Sequence, residues 1–506
     1  MAEEFFDILD DSNHSYDNTT SGLVASDVKG AIDELATSGG GGASGTHEFT
    51  ASGDLAEGIT VALNSDGTVS VIQEGDAASI GVTVPFVSPH ITSVATVYDP
   101  VNSKVVVAYQ SSDDSQGSIK VGTVSGDSIS FGATVKFGTV VASIGICYDD
   151  SASKVVIVYN ESGDSGVAVV GTTGDTILLG NPTTYVTESA NYNKVVYDSV
   201  NNNIVVFYST ASEGTSRVGV VSGTDISFPN VAVPFLATLG NYVAACFNET
   251  SGKCVVIFGD AFGASGKAII GTVSANTISY GTPAVMTNST MQASAVATIA
   301  GTSRIVAAIQ NRDIPTGQGT SMIGTIDGTD ISFADSYVFC AGDYVTDIDV
   351  MYDATNNTVV VTYRDTANAE YGTVRYGFIN GDIISFGDAI TFESNITYQT
   401  SLAYDSQLNK FVITYRIASV SGNSIIFNNV GASNVPETIG LNTEAVLDTE
   451  TATITILTGV NGHQSGLTID ALYYVDGTGS LTTTPTGNVY VGRAISTTEI
   501  LVEVNE

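Results

Sequence analysis

The strongest constraint on the fold is a sequence repeat of about fifty residues, which occurs in seven copies between Thr96 and Phe427. Thr96–Phe131 shows it in full, with two anchor motifs that keep the same order in every copy. The first anchor is a Tyr-Asp pair or its replacement, beginning at Tyr98, Tyr148, Tyr197, Phe247, Thr298, Tyr352 and Tyr404. The second is an Ile-x-Phe-like triplet, ending at Phe131, Leu179, Phe228, Tyr280, Phe333, Phe386 and Phe427. Such a period, built only of strand-like segments, predicts a β-propeller or a linear array.

Each copy divides into four short strands. In the first copy one strand ends at Tyr98, and the β-branched run Val105–Tyr109 forms the second. The third ends in a Gly-Thr-Val motif, and the tight turn Ser125–Ser128 leads into the fourth, because its glycine supplies the positive φ that hairpin turns require. Four-stranded sheets repeated around a ring are propeller blades. The sequence therefore predicts an all-β fold with a seven-bladed β-propeller of four-stranded blades over residues 78–430.

The seventh copy is incomplete, and this bears on how the ring closes. After Tyr415 the copy omits about ten residues that the other copies have, and it lacks the tail of their fourth strands. That tail occurs alone before the first copy, where Val82–Phe86 matches Val231–Phe235. We therefore expect residues 80–86 to complete the last blade. The alternative is a free edge strand, which promotes aggregation.

Three further segments flank the predicted propeller. Residues 1–45 combine an acidic start, a short helix capped by Ser26 and a Gly-rich linker, and we expect the acidic start to be extended or docked onto another structure. Residues 46–77 predict a small β-hairpin module around Asn64–Gly67. Residues 431–506 predict a C-terminal β module. We expect it to pack near residues 46–77, because ring closure brings the ends of the propeller together.

Composition argues against several classes of function. The chain has 16 Lys and Arg against 53 Asp and Glu, a formal charge of −37, so we expect no nucleic-acid partner and no membrane insertion. It has no Trp, which argues against Trp-Asp repeats and against the Asp-box motif of sialidase propellers. We expect the four cysteines to be reduced core residues. No signal peptide is apparent, so we expect synthesis in a cytosol.

Several stretches resemble virion proteins of tailed phages. Ser21–Leu35 resembles a segment near the N-termini of phage fibre proteins, and Glu48–Ile72 is similar to a module of marine phage structural proteins. The repeats, with phrases such as YDPVNSKVVVAY, and the C-terminal stretch LYYVDGTGSLTTTP resemble other parts of the same proteins. The resemblance covers most of the chain. It implies a tail fibre, or a fibre attached to capsid or tail, that is made in the host cytoplasm, contacts other virion proteins and forms a homotrimer.

No catalytic motif stands out, so we predict that the protein is not an enzyme and needs no cofactor. The four histidines are scattered, and no His or Cys cluster has metal-ligand spacing. The aspartate of each Tyr-Asp pair could form a ring of carboxylates, but its constant place in a turn favours a capping role. Asp-rich loops such as Ser111–Gln116 could bind calcium, although they lack the ordered ligand spacing of a calcium loop.

The two faces of the predicted disc differ. Turns between first and second strands, and between third and fourth, are nearly uniform and share one face. Loops between second and third strands vary in length and content on the other, and variable polar loops on a rigid scaffold are frequent binding sites. Our candidate receptor-binding residues come from the fifth and sixth copies, namely Arg312, Asp313, Gln318, Arg364, Asp365 and Tyr371. The alternative for each Arg-Asp pair is a local salt bridge that fixes its loop.

The leading functional hypothesis is a virion adhesin whose propeller presents loops to a host-surface glycan or protein. The second is a purely structural spacer or a capsid decoration protein. The third is a propeller glycosidase or lyase acting on surface polysaccharide. It would need convergent carboxylates in the channel, and the sequence offers only repeated turn aspartates.

Overall fold

The structure is a computed structural model in which the described residues are 45–52, 55–63, 67–71, 78–88, 90–162, 165–238, 241–260, 265–312, 317–341, 344–429, 438–447, 449–456, 459–475, 480–484 and 489–502. The predicted helix at Ser26, most of the linker, Asp313 and the tip of the hairpin at Asn64 lie outside these ranges. Within them, no helix is long and apolar enough to span a membrane. The chain divides into two compact units, Ala78–Asn429 and a unit formed by the segments Met1–Ala77 and Val430–Glu506.

The unit Ala78–Asn429 is a seven-bladed β-propeller, as the repeat predicted. First strands, which line the centre, are Ile91–Asp99, Val141–Asp149, Asn191–Asp198, Asn241–Asn248, Met291–Ile299, Val345–Asp353 and the second half of Ile390–Asp405. Second strands are Lys104–Ser111, Lys154–Glu161, Asn203–Ser209, Lys253–Asp260, Arg304–Asn311, Thr358–Asp365 and Lys410–Ile417. Third strands are Gly117–Ser125, Ser165–Thr173, Gly214–Ser222, Ser265–Ser274, Gly319–Asp327, Tyr371–Asn380 and Ser421–Asn428. Neighbouring strands within a blade are antiparallel.

The fourth strand of most blades is split into two pieces that pair with opposite ends of the third strand. Listed from blade 1, these strands are Ser128–Phe131 with Val135–Phe137, Ile177–Leu179 with Thr183–Val186, Asp225–Ser227 with Val233–Leu236, Thr277–Tyr280 with Ala284–Thr287, the continuous Asp330–Cys340, and Ile383–Phe386 with the first half of Ile390–Asp405. Blade 7 receives Ser79–Ile80 and Val84–Val87 from the start of the unit. Every blade thus has four strand positions.

Side chains of the second strands form the core between blades. In blade 2, Val155 to Val158 are fully buried, which explains why this run is continuously apolar rather than alternating. The clusters join neighbours, since Val106 of blade 1 packs in one cluster with Ile157 of blade 2. The four cysteines are free thiols that lie in or against these clusters.

A glycine near the start of the third strand lies under an aromatic ring of the fourth strand in most blades. In blade 3 a Cβ on Gly214 would lie 2.7 Å from the ring of Phe235. The same contact closes blade 7, where a Cβ on Gly422 would lie 2.7 Å from the ring of Phe86. Phe86 is 2% exposed, so the closing segment occupies the same buried place as the tails of the other blades.

The register at the closure corrects the sequence reading of Phe427. We took Phe427 as the fourth-strand anchor of the seventh copy, but it lies in the third strand, where it pairs with Phe411 and with Ile80. Ile80 therefore occupies the position that Phe131 holds in blade 1. The described residues of the seventh copy, up to Asn429, supply no fourth strand, and both pieces that pair with the third strand of blade 7 come from residues 79–87.

The other unit interleaves its two chain segments. One sheet has the order Thr46–Thr50, Thr451–Thr455, Thr438–Asn442, Thr60–Leu63 and Val69–Val71. A second sheet has the order Val460–Asn461, Ile500–Val502, Val489–Ala494, Leu472–Val475 and Leu481–Thr482. We expected two modules side by side, whereas the pairing of Thr46 with Thr455 and of Val61 with Gly440 joins them in one sheet.

Candidate ligand-binding face and central channel

Antiparallel pairing gives the propeller two unlike faces. We call the face with the first-to-second and third-to-fourth strand turns the capped face. The opposite face carries the second-to-third strand loops and the links between blades, and we call it the loop face. Each first strand begins at the loop face and ends at the capped face.

The capped face is held by buried turn residues. Asp198 is 0% exposed, and its Oδ1 accepts hydrogen bonds from the backbone N–H groups of Val200 and Asn201, at 3.0 Å each. Its Oδ2 accepts one from the side chain of Asn201 at 2.8 Å. Backbone-to-carboxylate bonds of the same kind recur at Asp99, Asp149, Asp353 and Asp405, and Asn248 takes this role in blade 4. The aspartates therefore cap turns, as their constant place in the sequence indicated.

Both faces contain non-glycine residues at a positive φ, but bulky residues adopt it at the loop face. All seven first strands contain a register irregularity near the loop face, and in five of them the residue six before the turn residue has a positive φ, namely Ser143, Tyr192, Tyr242, Asp347 and Gln399. We call these five residues the mouth ring, because they lie at the loop-face end of the strands that surround the channel. A positive φ at a bulky residue such as tyrosine is an outlier, and strain of this kind is often retained where it serves binding.

Contacts between blades hold the mouth ring in place. The N–H of Asn193 donates to Oγ of Ser143 at 2.8 Å, and the N–H of Gln399 donates to Oδ1 of Asp347 at 2.9 Å. The rings of Tyr192 and Tyr242 lie 5.9 Å apart between centroids. Tyr192 remains 39% exposed, so the ring offers an aromatic surface beside the channel mouth.

The structure links the two loops that supplied our candidate residues. Arg312 is exposed, and its guanidinium lies over the ring of Tyr344, 5.2 Å from the centroid. The carbonyl of Tyr344 accepts a hydrogen bond from the N–H of Thr366 in the blade 6 loop, at 3.3 Å. Gln318 is half-buried beside the loop, and its carbonyl accepts from the N–H of Asn311.

The three candidates from blade 6 are strand residues at the base of their loop. Arg364 pairs with Gly372, and Asp365 pairs with Tyr371. Oδ1 of Asp365 accepts hydrogen bonds from two N–H groups of the turn that follows, so this carboxylate caps its own loop. Tyr371 is half-buried and also pairs with Ile396.

Arg364 is occupied by contacts inside the protein. Its guanidinium lies 3.0 Å from Glu370 and 3.4 Å from Asp347, and Nε donates to Oγ1 of Thr346 at 2.7 Å. The pairing thus differs from the Arg364–Asp365 salt bridge that the sequence suggested. Arg364 and Arg416 both lie over Tyr398, at 4.5 and 4.4 Å from its centroid. This stack joins blades 6 and 7 beneath the loop face.

In the Asp-rich loop of blade 1, the carboxylate of Asp114 also forms its contacts within the protein. Asp114 lies 2.9 Å from the ammonium of Lys136, and the hydrogen bond from Lys136 lowers the pKa of this carboxyl group. Asp114 also accepts from the N–H of Gln116 at 3.1 Å. Among the described residues no group of three or more His, Cys, Asp or Glu is placed to hold a metal ion.

A central cavity of about 200 Å³ is lined by first strands of all seven blades. At one level, four residues before each turn residue, the positions are Ala95, Gly145, Lys194, Ala244, Ala295, Asp349 and Ser401. We call this level the channel ring. Five of its members are small and uncharged, and the two charged ones are three blades apart, nearly opposite each other. Sequence reasoning missed this ring and the mouth ring, although counting back from each turn residue would have aligned both.

Asp349 also joins two blades. Its Oδ2 accepts a hydrogen bond from the N–H of Leu402 in blade 7 at 2.7 Å, and Oδ1 accepts from the N–H of Val350 at 2.9 Å. Burial raises the pKa of Asp349, while the positive charge of Lys194 opposes that rise. The two groups therefore interact electrostatically across the channel.

The second unit has a larger cavity of about 610 Å³. It is lined by Glu57 to Ile59, Gln464 to Thr468 and Ser480 to Thr483, with Tyr473. Beside it, Nδ1 of His463 lies 2.6 Å from Oε1 of Glu57. The described side chains around it show no charge pattern that indicates a ligand.

Comparison with known proteins shows a likeness to solved structures. No protein-family model and no curated protein sequence matches the chain. Among solved structures, the WD40 domain of coronin from Toxoplasma gondii is similar at 10% identity and a TM-score of 0.45, over 72% of this chain and 92% of that chain. This likeness concerns the backbone alone, since the present chain has no Trp and therefore no Trp-Asp motif. The number of blades follows from the sheets described above.

Proposed function

We propose that the protein is a non-enzymatic adhesin of a tailed-phage virion and that its loop face binds the host surface. The observation that carries this proposal is the mouth ring, where Tyr192 and Tyr242 are held at a positive φ beside the channel. A tyrosine ring stacks well on a sugar face and loses little conformational entropy on binding. The rigid ring of blades presents this surface at little entropic cost.

The arrangement of charged groups favours binding over catalysis. Most glycoside hydrolases use a pair of carboxyl groups that flank the scissile bond. Among the described residues that line the channel, Asp349 supplies the one carboxyl group, and it already accepts two backbone hydrogen bonds. The turn aspartates lie on the capped face, each within its own turn, so they do not converge on a common point.

The virion part of the proposal rests on the resemblance to phage fibre proteins. In this view the N-terminal segment attaches the chain to other virion proteins, and a homotrimer presents three propellers. A spacer or decoration protein would share the same fold but would need no receptor-binding surface. The mouth ring supports the adhesin, because a spacer gains nothing from a strained aromatic surface.

The direct test is competition. Purified full-length protein added to host cells should block adsorption of the phage that carries it, and should bind members of a glycan array. A double variant, Tyr192→Ala with Tyr242→Ala, should lose at least tenfold in binding. The matched control is Val200→Ala, because Val200 is 61% exposed in the capped-face turn of the same blade as Tyr192.

Each alternative has its own outcome. If wild-type protein does not affect adsorption, the spacer hypothesis is favoured. If it releases reducing ends from host capsule, the protein is an enzyme. If the double variant Arg312→Ala with Arg364→Ala loses binding at unchanged melting temperature while the tyrosine variant binds normally, the receptor surface lies at the loops of blades 5 and 6.

A further inference from the structure

We propose that the central channel binds a small zwitterion, with Lys194 contacting its carboxylate and Asp349 its ammonium group. This inference concerns the channel ring and goes beyond the proposed role of the loop face. It would stand even if the protein had no host receptor.

Lys194 and Asp349 lie on opposite sides of the channel at the same level. Lys194 and Asp349 occupy the same register, since Lys194 pairs with Phe207 and Asp349 with Thr362, the corresponding residues of their second strands. They lie in blades 3 and 6 of a closed ring of seven, so their side chains approach the cavity from opposite sides. The other members of the channel ring have short or absent side chains, and the space between the two charges remains open.

Lys194 differs from the other polar members of the channel ring, because no described residue forms a hydrogen bond or a salt bridge with its ammonium. Position 349 and position 401 each hold the next blade, since Asp349 accepts from the N–H of Leu402 and Ser401 accepts from the N–H of Thr96 at 3.1 Å. A lysine at this level donates only, so Lys194 cannot make the equivalent bond. It is exposed to the cavity and forms no hydrogen bond or ion pair with any described residue.

The channel has both the hydrogen-bonding capacity and the volume for a small ligand. Each carboxylate oxygen of Asp349 accepts one backbone hydrogen bond and keeps a further lone pair for a donor in the channel. A volume of 200 Å³ corresponds to about seven water molecules. An amino acid with a short side chain fits this space. A charge at each end matches the ligand to both walls, whereas a simple anion would meet the carboxylate of Asp349.

The structural alternative is that Asp349 only clamps blades 6 and 7 and that Lys194 is only solvated. It predicts no preference for molecules that carry both charges. The experiment therefore uses full-length protein and a homologous series from glycine through β-alanine and γ-aminobutyrate to 6-aminohexanoate, with acetate and methylammonium as single-charge probes. Binding is measured by isothermal titration calorimetry and by the rise in melting temperature.

We expect one member of the series to bind at least tenfold more tightly than acetate or methylammonium. Lys194→Met should weaken that binding at least tenfold without lowering the melting temperature, because the ammonium forms no hydrogen bond or salt bridge with a described residue. Asp349→Asn keeps an oxygen for the N–H of Leu402. It should weaken binding of the zwitterion and leave binding of acetate unchanged or improved. Lys154→Met, a loss of the same charge at the capped face, should bind like wild type.

Three results would overturn the proposal. They are the absence of binding across the series, equal affinity for acetate and the best amino acid, and unchanged affinity in Lys194→Met. The last variant keeps the test valid if Asp349→Asn is less stable, because Lys194 makes no contact on which the ring depends.

Discussion

The two faces of the propeller are built from the same strands but differ in the hydrogen bonding and backbone conformation of their residues. On the capped face, buried side chains such as Asp198 saturate the turn with hydrogen bonds, and the solution recurs in nearly every blade. On the loop face, bulky residues such as Tyr192 and Tyr242 adopt a positive φ, whereas in the capped-face turns the positive φ falls on small or polar residues such as Ser103 and Asn202. Also at the loop face, neither atom of the buried Gln310 amide has a hydrogen-bond partner among the described residues. Repetition on one face therefore indicates stability, and variation on the other leaves room for recognition.

Both faces depend on a rigid ring of blades. Phe86→Ala should destabilise this ring, and its effect should be the largest of those predicted. Phe86 fills the closing blade against Gly422, so its loss should lower the free energy of unfolding by about 4 kcal/mol. Val82→Ala is the control, because Val82 lies in the same segment and is 65% exposed. Chemical denaturation measures both, and a loss below about 1 kcal/mol for Phe86→Ala would show that the ring does not depend on this closure.

The second prediction compares the faces within blade 3. Asp198→Ala should cost about 2 kcal/mol or more, because it leaves the N–H groups of Val200 and Asn201 without their acceptor. Asp198→Asn should cost much less, since Asn248 performs this role in blade 4. Tyr192→Ala should change stability by under about 1 kcal/mol. Thermal unfolding of the three variants decides the point, and equal losses for Asp198→Ala and Tyr192→Ala would remove the distinction between the faces.

The smallest expected effect is a gain. Gln310 is 0% exposed, and neither atom of its side-chain amide has a hydrogen-bond partner among the described residues. Gln310→Met has nearly the same shape and removes the desolvation cost, so it should stabilise the protein by about 1 kcal/mol. Gln110→Met at the same register of blade 1 is the control and should destabilise, because Gln110 accepts a hydrogen bond from Thr92. A stability loss in Gln310→Met would mean that its amide does have a partner.

The local structure of each repeat could largely be predicted from the sequence. The period, the four strands and the capping role of the turn aspartates follow from residue patterns, because each depends on contacts within a few residues of a hairpin. The closing segment could also be identified, because the sequence of Val82–Phe86 matches that of Val231–Phe235 closely. The misreading of Phe427 arose because an Ile-Phe pair looks alike in a third and in a fourth strand, and only the pairing with Phe411 distinguishes them.

Arg364 shows why binding sites cannot be predicted from the sequences of the loops alone. Its neighbour Asp365 suggested a local pair, yet the guanidinium contacts Asp347 and Glu370 and stacks on Tyr398 of the next blade. Such partners are separated along the chain, and their choice depends on how blades are placed around the ring. The exposed Arg312 also contacts a residue of another blade, since its guanidinium lies over the ring of Tyr344 in the following blade.

The sequence by itself determined the blades, because strand pairing, turn capping and apolar runs are encoded within each copy of the repeat. Tertiary structure alone decided what meets at the centre. Lys194 and Asp349 are separated by three blades, and nothing in their local sequence connects them. Closing seven twisted sheets into a ring brings equal registers to the same level, and that geometry places an unpaired ammonium opposite a carboxylate.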